Sequence, residues 1–185
     1  MPKFLVLNAS PRAGGNCDYL AGVATGLLQE EGIECRQHDL ARMKIAPCRA
    51  CDSCKARKAK YCAIKDDMGE VYDGLLGATS ILFLSPIYWF TYAAQLKIVV
   101  DRFYGLVNWE SACLKGKKVG AVFVYGDVDV YTSGAINAIG TFEHMIRYTG
   151  AQGCGFAYGT ASDVGDAEKN RALVERVKGL VTAMR

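Results

Sequence analysis

Five short apolar runs set apart by helical patterns constrain this chain more than any other feature of its 185 residues. Lys3 to Leu7 reads Lys-Phe-Leu-Val-Leu and ends in the turn-forming stretch Asn8 to Asn16. From Cys17 a helical pattern places Leu20, Val23, Ala24, Leu27 and Leu28 on one face. Ile33 to Asp39 is a second, more polar strand, Ser80 to Ser85 a third, Lys118 to Tyr125 a fourth and Gly153 to Ala157 a fifth. Strands separated by helices pair in parallel through right-handed crossovers, forming an open sheet covered on both faces. The expected fold is therefore α/β, a doubly wound five-stranded parallel sheet in the order 2-1-3-4-5. In such sheets a ligand lies outside the carboxyl ends of the strands at the switch point, here between the first and third strands. The loops after Leu7 and Leu84 should then face each other.

The length suits one well-packed domain over residues 1–185, and 51% apolar content supplies its core. A net charge of +3 excludes a global field for nucleic acid or an anionic membrane surface. No apolar stretch is long enough to span a bilayer, and a cytoplasmic location is expected. The one departure from β-α alternation is Ala41 to Lys65, which holds four of the eight cysteines, so a cysteine-rich loop over about 44–65 is expected after the second strand.

The loop after the first strand reads Asn8, Ala9, Ser10, Pro11, Arg12, Ala13, Gly14, Gly15, Asn16, Cys17. Small residues let backbone N–H groups approach an anion, Ser10 and Arg12 can donate to phosphate oxygens, and the following helix points its positive end there. The loop matches neither the Walker pattern nor the Gly-x-Gly-x-x-Gly fingerprint. A plain strand-to-helix turn, with Asn16 as N-cap and Arg12 in solvent, would also account for these residues. The second loop, Ser85, Pro86, Ile87, Tyr88, Trp89, Phe90, brings aromatic bulk to the switch point, where it could receive a planar ring or simply cover the sheet edge.

Cys48, Cys51, Cys54 and Cys62 have the spacing C-x2-C-x2-C-x7-C. Three thiolates at x2 intervals, with a fourth arriving further along, can wrap an iron-sulfur cluster. Zinc competes, although structural zinc sites usually combine two separated C-x2-C pairs. Arg49, Lys55, Arg57, Lys58 and Lys60 surround these cysteines in sequence and would offset the charge of a thiolate-bound cluster. A soluble basic loop, or a docking face for an acidic partner such as a ferredoxin, explains the same run. Cys17, Cys35, Cys113 and Cys154 lack ligand spacing, and His38 and His144 are isolated.

The Ser-Pro-Arg-x-x-x-Asn loop, the Ser-Pro-Ile-Tyr-Trp loop and the later Leu96, Lys97, Asp101 and Arg102 resemble the NADPH-dependent FMN reductase superfamily, of flavodoxin-like fold, over essentially the whole chain. The resemblance implies that Ser10, Arg12, Gly15, Asn16 and Cys17 hold the FMN phosphate. Pro86, Ile87, Tyr88 and Trp89 would line the flavin, with Tyr125, Gly126 and Asp127 as a third loop. The family generally has Ser or Thr at the position of Cys17, which implies weaker FMN retention. Asp101 and Arg102 read as a structural or interface ion pair.

The cysteine motif followed by Ile64, Asp66, Asp67 and Met68 resembles the iron-sulfur flavoprotein branch, in which the motif binds a 4Fe-4S cluster. That branch implies electron passage between the cluster, FMN and an external donor and acceptor, with no side chain singled out as a catalytic acid or base. The donor would be a ferredoxin-like protein or NAD(P)H, the acceptor a small molecule, and the assembly a homodimer or homotetramer. Two alternatives stand beside it: an NAD(P)H-dependent FMN, quinone or azo reductase without a functional cluster, and a zinc-stabilised binding module.

Overall fold

The apolar runs form strands because their residues can be buried on both faces at once. A computed structural model of the protein describes residues 4–56, 61–107 and 114–185; Lys3, Arg57, Lys58, Lys60 and Cys113 lie outside the described residues. In chain order the elements are β1 (Phe4–Asn8), α1 (Asn16–Glu30), β2 (Cys35–Asp39), a 3-10 turn (Leu40–Arg42), α2 (Met68–Gly77), β3 (Ser80–Tyr88), β4 (Thr91–Tyr92), α3 (Ala94–Arg102), α4 (Tyr104–Val107), β5 (Lys118–Tyr125), α5 (Ala135–Thr149), β6 (Gln152–Thr160), α6 (Asp166–Lys169) and α7 (Arg171–Ala183).

Five strands pair in parallel in the order β2-β1-β3-β5-β6. Alternate residues face opposite layers. Leu5, Leu7, Ile81, Phe83, Val119, Ala121 and Phe123 pack beneath α2, α3 and α5. Phe4, Val6, Leu82, Leu84, Val122 and Val124 pack beneath α1 and α7. Two-sided burial explains why the inner strands are continuous apolar runs, whereas β2 at the edge reads Cys-Arg-Gln-His-Asp. Phe142 of α5 anchors the first layer, its ring edge-on to Phe83 at 5.1 Å, Phe123 at 5.5 Å and Tyr92 at 5.7 Å. Among the described residues no helix is long and apolar enough to cross a membrane.

Among the described residues the sheet has six strands rather than the expected five, because β3 continues past Ser85 to Tyr88 and turns back into β4. The return pairs Ile87 with Tyr92 and Tyr88 with Thr91, leaving Trp89 and Phe90 as a two-residue turn. A two-residue strand has no hydrophobic period to betray it. Trp89 (φ 47°) and Phe90 (φ 66°) both adopt left-handed backbone, the pattern of a primed hairpin turn that Asn-Gly usually supplies. Each costs about 1 kcal/mol or more for an L-residue. Gly134 offsets that strain by letting Phe90 approach closely: a Cβ there would lie 2.4 Å from the Phe90 Cβ, and Gly134 itself sits at φ 74°. Asn137 Nδ2 then donates to the Phe90 carbonyl at 3.1 Å.

Candidate functional site

The carboxyl ends of β1, β3, β5 and β6 enclose a cavity of about 170 Å³. Its floor is the loop that joins β1 to α1, and that loop is shaped by its own hydrogen bonds. Ser10 N–H donates to Asn8 Oδ1 at 3.1 Å, and Arg12 N–H to Ser10 Oγ at 3.2 Å. Asp18 clips the loop to the helix, accepting from Asn8 Nδ2 at 2.6 Å and from Gly14 N–H at 2.6 Å. The N-cap of α1 is Gly15 rather than the expected Asn16, and no side chain caps the helix. Asn16 is instead its first residue. The first turn, which no side chain among the described residues caps, turns the positive end of a 15-residue helix toward the cavity that Asn16 and Cys17 line.

Asn16 turns its carboxamide sideways, where Nδ2 donates to the carbonyls of Ala161 (3.0 Å) and Asp163 (2.9 Å) and Oδ1 accepts from Ala167 N–H at 3.1 Å. Arg12 Nη1 donates to the Ser162 carbonyl at 3.1 Å. Both residues therefore hold the loop after β6 against the loop after β1. Cys17 is buried, which pushes its thiol up to about 12, with the Asp18 charge adding to the rise and a hydrogen bond with Ser10 opposing it. It is a neutral, packed group at ordinary pH.

Ser10, Arg12, Asn16 and Cys17 line the cavity on one side, with Pro86, Ile87, Tyr88, Tyr125 and Gly126 opposite. Gly15, Trp89 and Asp127, also expected from the sequence, are not among the lining residues, and Trp89 is 91% exposed at the hairpin tip. Val124, Ala161 and Ser162 complete the lining without having been anticipated. The rule that pointed to the first and third strand ends applies equally to the last strand, and Ala161 and Ser162 directly follow it. Ser85 is fully buried and serves the hairpin, accepting from Ala93 N–H at 2.9 Å and donating to the Pro86 carbonyl at 2.8 Å.

The second site lies in residues 43–67, which contain neither helix nor strand among the described residues. Cys48, Cys51, Cys54 and Cys62 line one cavity of about 440 Å³ together with Asp101 and Tyr104. All four are free thiols. No three His, Cys, Asp or Glu side chains among the described residues converge closely enough to hold a metal ion, so the thiols share a cavity without meeting at a point. Burial raises the Cys54 thiol, and the nearby Cys62 and Cys48 add to that rise, whereas hydrogen bonds with Ser53 lower the exposed Cys51. Left-handed backbone at Ala50 (φ 50°), Asp52 (φ 53°) and Tyr61 (φ 63°) bends the chain around the cavity.

Asp101 and Arg102 are not paired with each other. Asp101 pairs with Lys97 along α3, whereas the Arg102 side chain, 1% exposed, makes a two-pronged ion pair with Asp66 at 2.9 and 3.1 Å. Successive helical residues point in directions about 100° apart, so neighbours in sequence are not neighbours in space.

The NADPH-dependent FMN reductase family profile matches residues 2–149. The chain belongs to that family. It is 33% identical over 143 residues to an iron-sulfur flavoprotein of Methanosarcina thermophila, covering 77% of this chain and 73% of that one. An iron-sulfur flavoprotein of Archaeoglobus fulgidus is 37% identical over 121 residues, 65% of this chain and 60% of its own. Within the family the chain thus falls in the iron-sulfur flavoprotein branch, although the match spans only about three fifths to three quarters of these relatives. The structure of general stress protein 14 from Treponema denticola in complex with FMN superposes over the full length of both chains with a TM-score of 0.63 at 17% identity, a likeness of fold.

Family membership makes the protein an FMN-dependent oxidoreductase with a flavodoxin-like sheet. The cavity fits that cofactor in its chemistry: first-turn helix amides, a hydroxyl and one guanidinium can meet an anion, and Pro86 to Tyr88 offer an apolar wall with backbone polar groups. The cysteine cavity fits a cluster in its donor set, four thiols lining one cavity, and the buried Arg102 Nε beneath the loop has no hydrogen-bond partner among the described residues.

Proposed function

We propose that this chain, folding as a single domain, passes electrons between FMN in the sheet-end cavity and a 4Fe-4S cluster held by Cys48, Cys51, Cys54 and Cys62. The observation that carries this reading is the presence of two separate cavities in one chain, one lined by phosphate-binding chemistry and one by four thiols. FMN when bound takes up two electrons together or singly and a cluster takes up one, so the pairing converts between one-electron and two-electron carriers. Ser10, Arg12, Gly15, Asn16 and Cys17 hold the phosphate end. Asn16 does so by fixing the opposing loop, Gly15 by turning the backbone and Cys17 through its amide. Pro86, Ile87 and Tyr88 hold the ring, Trp89 flanks it from the exposed hairpin tip, and Tyr125 and Gly126 form the third wall, with Asp127 next to them in that loop.

The exposed Arg49 and Lys55 beside the cysteines suit an acidic one-electron donor such as a ferredoxin, with NAD(P)H as the other candidate reductant and a small molecule as acceptor. β2, which leads into the cysteine loop, is an edge strand, and the reading includes a homodimer or homotetramer in which a neighbouring copy's cysteine loop approaches the flavin. Anaerobic purification with flavin, iron and sulfide quantified tests the central claim. About one flavin with four irons and four sulfides per chain supports it. Flavin without iron or sulfide overturns it and leaves a flavin reductase. Rapid mixing with reduced ferredoxin then tests the route: flavin reduction at an unchanged rate after chemical removal of the cluster would refute the relay.

A further inference from the structure

The cysteine loop has no internal helix or strand among the described residues, so what closes its base decides where its thiols stand. A single largely buried ion pair does most of that closing. The Asp66 carboxylate accepts four hydrogen bonds: from Ala46 N–H at 2.9 Å, Met68 N–H at 3.2 Å, and Arg102 Nη1 and Nη2 at 2.9 and 3.1 Å. Arg102 Nη1 also donates to the Ala46 carbonyl at 2.8 Å. The incoming segment of the loop at Ala46 and the outgoing segment at Asp66 are thus tied to one guanidinium at the end of α3. Asp67 adds a second tie, accepting from Lys44 N–H at 2.6 Å.

The same residues seat the fourth cysteine. The Tyr61 ring lies 5.4 Å from that of Tyr72, and the Tyr72 hydroxyl donates to the Arg102 carbonyl at 2.8 Å. The Tyr61 carbonyl rests on Gly105, where a Cβ would come within 2.8 Å of it. The segment that carries Cys62 therefore sits directly on the turn from Arg102 to Gly105, although Cys62 is the ligand furthest in sequence from the other three.

We propose that Asp66 and Arg102 are positioning residues for the cluster: their ion pair holds Cys62 in the same cavity as Cys48, Cys51 and Cys54, and sets the charge that the cluster meets when it is reduced. The inference rests on the reading of the four cysteines as cluster ligands. Reduction adds one negative charge. A carboxylate opposes that charge and a guanidinium favours it, and in a pair as buried as this one (side chains 1% and 11% exposed) solvent ions screen both less than they would screen exposed groups. With both present the two influences largely cancel; removing one leaves the other uncompensated.

The test is a double-mutant cycle on the anaerobically purified full chain, reading the midpoint potential of the cluster by spectroelectrochemical titration, with iron, sulfide and FMN per chain. Asp66→Asn leaves Arg102 alone and should move the potential upward. Arg102→Gln leaves Asp66, still held ionised by two backbone amides, and should move it downward. Each shift is expected at about tenfold in the reduced-to-oxidised ratio at fixed potential, about 59 mV for one electron. The double variant should return close to the wild type. Shifts of the same sign, or none, would overturn the electrostatic role, because loosening of the loop cannot move the potential in opposite directions. Gly105→Ala tests the seating of Cys62 without touching a charge and should lower iron per chain while FMN content stays constant; unchanged iron overturns that role even if Arg102→Gln fails to fold. If the wild type holds FMN but neither iron nor sulfide, the ligand reading itself falls, and the inference with it.

Discussion

The flavin cavity lies where four strands of one sheet end, so each of its loops leaves a backbone already positioned by ladder hydrogen bonds; the cysteine cavity is framed by residues 43–67, which have no such ladder among the described residues. In the first region the side-chain bonds of Asn8, Asp18 and Asn16 refine a geometry that two layers of core already impose. In the second, polar ties at Asp66, Asp67 and Arg102 must substitute for secondary structure. A site on sheet ends should therefore lose function locally, one contact at a time. A site on an irregular loop should depend on a few buried contacts and on the cluster proposed for it, because ligand binding stabilises the folded form.

The sharpest test of that contrast is Cys54→Ser. It should lower iron per chain by tenfold or more, at least the scale on which changes around metal sites act, with FMN content unchanged; parallel loss of FMN would show that the two regions are one cooperative unit. Gly134→Ala probes the sheet-end region through its strained hairpin. A Cβ would collide with Phe90 at a backbone φ of 74°, and a loss of about 2 kcal/mol is expected. Thermal unfolding should register it as a midpoint lowered by roughly 4–8 °C for a chain of this size.

Arg12→Ala should weaken FMN about tenfold or more, the effect of losing one hydrogen bond to a charged group, as read by recovery of free-flavin fluorescence on dilution. Iron content should not change. The smallest effect belongs to His38 on β2, whose pKa is lowered by burial and by Arg36, and whose Nε2 has no partner among the described residues. The unfolded chain then binds the proton more tightly than the folded one. Stability should be unaffected above the ordinary histidine value of about 6.5 and fall as the pH drops through it toward the lowered folded value. His38→Gln should flatten that slope in urea unfolding followed between pH 5 and 8 (roughly the range in which histidine titrates).

The alternation of apolar runs determined the parallel sheet and its order, because a strand covered on both faces must be apolar throughout and a helix must connect parallel neighbours. The same rule located the cleft at the ends of β1 and β3; the resemblance to the FMN reductase family, not the rule, pointed to nine of the residues that line it, from Ser10 to Gly126. The spacing of Cys48, Cys51 and Cys54 likewise marked the second cavity, since short-range spacing survives whatever the rest of the chain does. What escaped the sequence is long-range or without period. The hairpin at Trp89 and Phe90 uses residues that disfavour such a turn and stands only because Gly134, 44 positions away, accepts it. Arg102 reads as the partner of its neighbour Asp101, yet pairs with Asp66 across 36 positions. Local sequence specifies which backbone shapes are affordable and which faces are apolar, whereas a buried charge takes whichever partner the packed layers bring within reach, and that choice exists only once the sheet, α3 and the cysteine loop have come together.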